Sequence, residues 1–231
     1  MEQQNRENFL NRLAEKMGRP RQFVAEPMAE PVNHYPTTRL TDRSQAALCD
    51  EFVNAAQTMM VDVNVTTEQE AVPTLIALCQ KYGGGAIVLN DDARLAELGI
   101  IDAMKAHFDS YVWQVDGEQN IAKAEQANIG IAYAEYGLAE TGGIVLYSDP
   151  HSGRSVSLLP EKSIVIVRKS QVLPRVAQLG KILHEKAQQG ERMPSCVNII
   201  SGPSSTADIE LIKVVGVHGP TAKIYIVIDD L

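Results

Sequence analysis

Short apolar runs rich in β-branched residues recur along this chain, separated by stretches with helical spacing. That alternation restricts the fold more than any other feature. The runs are VDVNV (61–65), AIVLN (86–90), YVWQV (111–115), NIGIAYA (128–134), GIVLYS (143–148), VSLL (156–159), SIVIVRK (163–169), VNII (197–200) and KIYIVI (223–228). Continuous apolar runs of this length, such as AIVLN, read as buried strands, while VDVNV alternates as a strand does. Helices are expected over 44–60, from near Thr67 to the glycines at 83–85, over 92–108, over 118–127 and from Leu173 to about 189. Thr67 and Glu70 have capping-box spacing, while Pro73 falls late for a first-turn residue and displaces the helix start. Strands alternating with helices imply a mostly parallel sheet covered on both faces. The runs between 143 and 169 have short links and add antiparallel pairing. An α/β fold follows, with a mixed, mostly parallel sheet flanked by helices.

The N-terminal region departs from this pattern. Phe9, Leu10, Leu13 and Met17 have helical spacing, and Pro20, Pro27, Pro31 and Pro36 then punctuate an extended stretch. Residues 1–43 read as a helix and Pro-rich arm, and 44–231 as the α/β domain. Such an arm packs on its own body or on another subunit, as in a homo-oligomer.

Charge and cysteine usage exclude several classes. The 21 Lys and Arg against 29 Asp and Glu give a net charge of −8, which argues against nucleic acid or an anionic membrane as partner. Cys49, Cys79 and Cys196 lie far apart without CxxC spacing, so neither a cluster nor a structural zinc site is expected in this chain. They read as free buried thiols in a reducing cytosol. The start, MEQQNRENFL, has no basic region followed by an apolar core, and no run approaches the ~20 apolar residues that span a bilayer. A cytoplasmic protein without membrane insertion is expected.

Three segments are unusual for plain core or plain surface. In YAEYGLAETGGIVLYS (133–148), Glu140 and Thr141 precede Gly142 and Gly143 at the entry to a strand. Paired glycines allow close backbone approach, and a carboxylate there is placed for acid, base or nucleophile work; a tight turn with a solvated Glu is the other reading. In IISGPSSTADIELIK (199–213), Ser201, Gly202, Ser204, Ser205 and Thr206 follow a buried strand. Ser205 and Asp208 fit a capping box, so a helical turn is expected whose free amides suit a phosphate or carboxylate. In GVHGP (216–220), His218 lies between glycines before the last strand, where an imidazole could serve as acid, base or hydrogen-bond donor to an anion. Arg154 suits an anion or is a solvated loop charge. His34, His107, His151 and His184 show no metal-ligand spacing, so no metal site is expected.

AETGG (139–143), SLLP (157–160), SGPSSTADIE (201–210) and GVHGP (216–220), in this order, resemble the lactate-utilization protein C family of LUD-domain proteins. The likeness runs along the whole chain and is densest over GERMPSCVNIISGPSSTADIELIKVVGVHGP (190–220). The resemblance implies a fold like the sugar-phosphate isomerase and CoA-transferase group. It also implies a role as one of three proteins of a shared operon that oxidise L-lactate to pyruvate and allow growth on lactate. The other two proteins carry iron–sulfur clusters, so this chain would hold no cofactor and would rely on those partners for electron transfer. Carried over residue by residue, Glu140 and His218 are the catalytic candidates. Thr141, Gly142, Gly143, Ser201, Gly202, Ser204, Ser205, Thr206, Asp208 and Gly219 are the candidates for binding the substrate. Many relatives carry a His shortly after the LLP motif, where this chain has Lys162 and Ser163; Glu140 or His218 would have to serve instead. Two other readings stay open: an independent enzyme acting on a CoA ester or sugar phosphate, and a non-catalytic assembly or regulatory subunit.

Overall fold

The structure, a computed structural model, describes residues 2–24, 27, 29–208 and 210–231. Ala25, Glu26 and Met28 of the Pro-rich stretch and Ile209 of the SGPSSTADIE motif lie outside the described residues. The chain divides into two units, residues 1–34 and 35–231. The first contains α1 (Glu2–Lys16), matching the helical spacing of Phe9, Leu10 and Leu13. Within this unit Arg21 pairs with Glu7.

The second unit begins with α2 (Tyr35–Thr38), α3 (Gln45–Thr58), β1 (Val61–Thr66), α4 (Ala71–Lys81) and β2 (Ala86–Leu89). Next come α5 (Ala93–Glu97), α6 (Ile100–His107), β3 (Asp109–Val112), α7 (Asn120–Gln126), β4 (Ile129–Tyr133), β5 (Tyr136–Leu138) and β6 (Gly143–Ser148). The rest is α8 (Ser155–Leu158), β7 (Lys162–Arg168), β8 (Val172–Leu173), α9 (Val176–Gln188), β9 (Cys196–Ile200), β10 (Ser205–Thr206), β11 (Val214–Val215) and β12 (Ala222–Ile228).

Six strands form the main sheet in the order β1-β12-β7-β4-β2-β3, and every neighbouring pair is parallel. Alternate side chains go to opposite faces, which explains why the central runs are apolar throughout. On one face Ile131, Ile164, Ile166, Ile224 and Ile226 meet Leu75, Leu78, Cys79 and Met104 of α4 and α6. On the other, Ala132, Val165, Val167, Tyr225 and Val227 meet Phe52 and Ala56 of α3 and Ile144 and Leu146 of β6. Phe52 stacks on Tyr225 with ring centroids 5.7 Å apart. A second sheet, β8-β5-β6-β9, covers this face, with β6 antiparallel to both β5 and β9. The expected architecture, a mostly parallel sheet flanked by helices, is present.

Three local expectations differ. VSLL (156–159) is not a strand: its residues form α8, and the strands before and after it lie in different sheets. A Cβ at Gly130 of β4 would run into the Val156 carbonyl, so the missing side chain lets α8 lie directly on the main sheet. The 92–108 helix is broken at Gly99 into α5 and α6. The helical turn expected at 205–208 is a two-residue antiparallel hairpin, β10 with β11. There Thr206 Oγ1 donates to Asp208 Oδ2 (2.6 Å) and accepts from the Asp208 amide (3.2 Å). This local bonding competes with helix formation. Glu210 and Leu211 follow with φ of 54° and 59°, which no α-helix accommodates.

Candidate functional site

Antiparallel pairing of β6 with β9 sets Ile144 opposite Ile200, which carries Gly143 alongside Ser201. A Cβ at Gly143 would sit 2.7 Å from Ser201 Oγ and 3.0 Å from Thr141 Oγ1. The AETGG and SGP turns therefore meet back to back. Gly142 (φ 60°) and Gly202 (φ 77°) occupy left-handed backbone, and a Cβ on either would strike the backbone of α3 or its cap, at Ala56 and Met59 respectively. Their glycines are needed both for conformation and for the approach of α3.

Beyond this junction lies a cavity of about 300 Å³. Ser157 and Leu158 of α8, the end of β9 with the Ser201–Ser204 turn, the His218–Pro220 turn and Lys223 line it. The turns are held by backbone bonds: the Ser204 amide donates to the Pro220 carbonyl (3.0 Å) and the Gly216 amide to the Ser204 carbonyl (2.8 Å). The cavity sits at the amino ends of β7 and β12, where Ser163 and Lys223 are the second residues of their strands and stand in register. Both point to the face shared with Val165, Tyr225 and Val227. Ser163 is fully buried and Lys223 is 2% exposed. Lys223 Nζ donates to Ser163 Oγ (2.8 Å). Among the described residues no carboxylate pairs with this amine, and none of the residues lining the cavity is acidic. Burial alone pushes the Lys223 ammonium down to about 7.

Of the residues expected at a site, the structure brings Ser201, Gly202, Ser204, His218 and Gly219 together around this cavity, with Thr141, Gly142 and Gly143 packed behind it. Ser205, Thr206 and Asp208 belong to the hairpin and do not line it. With no helix at 205, the cavity is lined by serines and the buried amine and not by helix-end amides. Glu140 lies elsewhere. Its carboxylate accepts from Arg175 Nε (2.6 Å) and pairs with Arg39 Nη1 (3.4 Å), while Arg175 Nη1 donates to the Tyr35 carbonyl (2.6 Å). This ion-pair group ties α2 to the start of α9. Lys223 and Ser163 are the residues the sequence reading missed. The available signal was parity: Lys223 shares its face with Tyr225 and Val227, so it is an inward lysine in a buried strand.

A second cavity, of about 440 Å³, opens at the carboxyl ends of β2 and β4. In the chain β2 is followed by β3 on one side and later by β4 on the other, so this is the point where strand order reverses, the usual ligand crevice of open α/β sheets. Arg94 there donates to Asp92 Oδ1 (2.9 Å) and Oδ2 (2.7 Å) and to Glu135 Oε1 (2.6 Å), so its charge is already neutralised. The Tyr147 hydroxyl is buried without a partner among the described residues, and burial, aided by Tyr136 and Glu135, pushes its phenol up to about 12. At the rim His151 Nδ1 lies 2.8 Å from Asp91 Oδ2. Arg154 lines neither cavity.

Cys49 and Cys79 are buried and Cys196 is half-buried, all as free thiols. Burial raises the Cys79 thiol to about 12. Among the described residues no cluster of three His, Cys, Asp or Glu is arranged to hold a metal, and no helix is long and apolar enough to cross a membrane.

Comparison with known proteins agrees with this architecture. Residues 49–228 match the LUD domain. The protein YkgG of Escherichia coli K12 is 52% identical over 230 residues, 98% of this chain and 99% of that protein. The lactate utilization protein C of Bacillus subtilis 168 is 38% identical over 237 residues, 98% of this chain and 97% of the relative. A crystal structure of a DUF162 family protein from Deinococcus radiodurans has the same fold, with a TM-score of 0.57 and 20% identity over 80% of this chain and 99% of the other. With the domain matched over most of its length and relatives aligned end to end, this chain belongs to the lactate utilization protein C family of LUD-domain proteins.

Proposed function

We propose that this chain is a subunit of an L-lactate-oxidising system and that its acid-free cavity holds the small carboxylate. The observation that carries this is the end-to-end likeness to proteins named lactate utilization protein C. The cavity supports it chemically. It offers the hydroxyls of Ser201 and Ser204 to a carboxylate, the imidazole of His218 at an exposed edge, and one buried amine with no acid opposing it. Conversion of lactate to pyruvate releases two electrons and two protons. In this reading His218 accepts the hydroxyl proton, and the electrons leave to two iron–sulfur proteins of the same operon. The dispersed thiols of this chain suit a subunit whose clusters are housed in its partners. Growth on lactate is the expected physiological readout, with the cytoplasm as the expected location.

The test is lactate-dependent dye reduction by the three proteins, reconstituted with and without this chain. Activity is expected to vanish on omission and to return with wild type, but to stay below a tenth with His218→Ala or Ser204→Leu. Full activity without the chain would remove it from the catalytic assembly.

One observation favours a second reading, an enzyme that works alone on a CoA ester or sugar phosphate. The carboxyl-end cavity is the larger and occupies the reversal point of the sheet. A ligand at 100 times its dissociation constant adds about 2.7 kcal/mol of stability, so a thermal-shift panel of CoA esters and phosphosugars tests it; no shift across the panel counts against it.

A further inference from the structure

Lys223 is the least expected group in this fold. It is the second residue of an interior parallel strand, in register with Val61 of β1 and Ser163 of β7, and is 2% exposed. Buried lysines are ordinarily paired with a carboxylate. Among the described residues its one side-chain partner is neutral, Ser163 Oγ at 2.8 Å, although an ammonium carries three donors. No carboxylate among them offsets the loss of water around its charge, and burial moves its titration down to about 7. A free amine that is uncharged near neutrality is a nucleophile. It also borders a cavity of about 300 Å³ that is large enough for a small metabolite and lined without acids.

We propose that Lys223 is a Schiff-base lysine, forming an imine with the carbonyl carbon of a small 2-oxo carboxylate bound in the amino-end cavity. The proposal rests on the reading of that cavity as the carboxylate site and adds a covalent step to it. The Lys223 nitrogen lone pair forms a bond to the carbonyl carbon, and a proton passes from nitrogen to the carbonyl oxygen to give a carbinolamine. The carbinolamine then loses its hydroxyl together with the second N–H proton as one water, leaving C=N. No oxidant or reductant is consumed. Ser163, which accepts a hydrogen bond from the amine, positions it; Ser201 and Ser204 line the same cavity. His218 is the other titratable side chain in the lining.

The arrangement also predicts selectivity. At pH 7 about half of an amine titrating near 7 is neutral, against roughly one in two and a half thousand for an ordinary lysine near 10.4. About a thousandfold more of Lys223 than of a surface lysine is therefore in the reactive free-base form at pH 7.

The experiment is reductive trapping of the full chain with pyruvate and cyanoborohydride at pH 7, read by intact mass and peptide mapping. The expected result is one reduced adduct per chain on Lys223 before any surface lysine is modified, slowed by competing L-lactate. Lys223→Met should abolish that adduct, and Ser163→Ala, which keeps the lysine, should slow it about tenfold. Pyruvate binding measured by calorimetry separates the two ideas. Saturable binding without an adduct at Lys223 overturns the Schiff base and leaves the carboxylate site standing. Adducts confined to surface lysines overturn it equally. No binding of either pyruvate or lactate overturns both.

Discussion

At the scale of single residues, Lys223 makes a stability prediction independent of any ligand. Its pKa falls from 10.5 to about 7 on folding, so between those values the unfolded chain binds more protons than the folded one. Stability therefore rises with pH across that window, and the cost of the lysine is greatest at and below pH 7. Lys223→Met should stabilise the protein by on the order of 3 kcal/mol at pH 7, after allowing for the lost hydrogen bond to Ser163. At pH 10.5 the two proteins should unfold at nearly the same denaturant concentration. Equal differences at both pH values would mean the amine is charged in the fold. Glu140 makes the opposite kind of prediction. Glu140→Gln removes the charge that Arg175 and Arg39 meet, and should cost about 1–2 kcal/mol in urea titration. A loss of turnover with no loss of stability would instead give that carboxylate a chemical role. These two residues also mark where sequence reading runs out. Glu140 stood out because it precedes two glycines, yet its partners Arg39 and Arg175 come together only in three dimensions. Lys223 opens the run KIYIVI, and its parity with Tyr225 points it inward, but the cavity at that end of the strand comes together only in three dimensions.

At the scale of elements, the two site turns are fastened to α3. Gly142→Ala and Gly202→Ala each put a Cβ into the backbone at the C-terminal end of that helix, at positive φ. Each is expected to destabilise by about 2–4 kcal/mol, from backbone strain plus displacement of a packed helix. Gly202→Ala should also weaken carboxylate binding, because the same turn lines the cavity; unchanged stability in either variant would show that α3 is not seated on these turns. The strands were legible wherever burial on both faces makes a run apolar throughout, as in SIVIVRK and NIGIAYA. The exceptions have physical causes. VSLL has the composition of a strand but becomes α8 because Gly130, distant in sequence, offers it a surface without a side chain. The 205–208 turn has capping-box spacing, yet Ser205 and Thr206 pair with Val215 and Val214 across a loop whose return path no local signal specifies.

At the scale of the whole molecule, the chain is built around one sheet with a polar opening at each end. Among the described residues every buried apolar side chain lies between Leu48 and Ile228, so residues 35–231 hold the complete core. A chain lacking residues 1–34 is expected to unfold in one cooperative transition within a few degrees of the full protein; loss of cooperativity would show that the first unit is needed to complete the core. The proposed function requires this chain to bind the small carboxylate itself, in the cavity at the amino ends of β7 and β12. The most direct measurement is a calorimetric titration of L-lactate and pyruvate into the purified chain, repeated with Ser204→Leu, which fills the cavity. Saturable binding at one site in the wild type, and its loss in a folded Ser204→Leu protein, is the predicted result. Binding that survives the filled cavity, or no binding to the wild type at all, would contradict it.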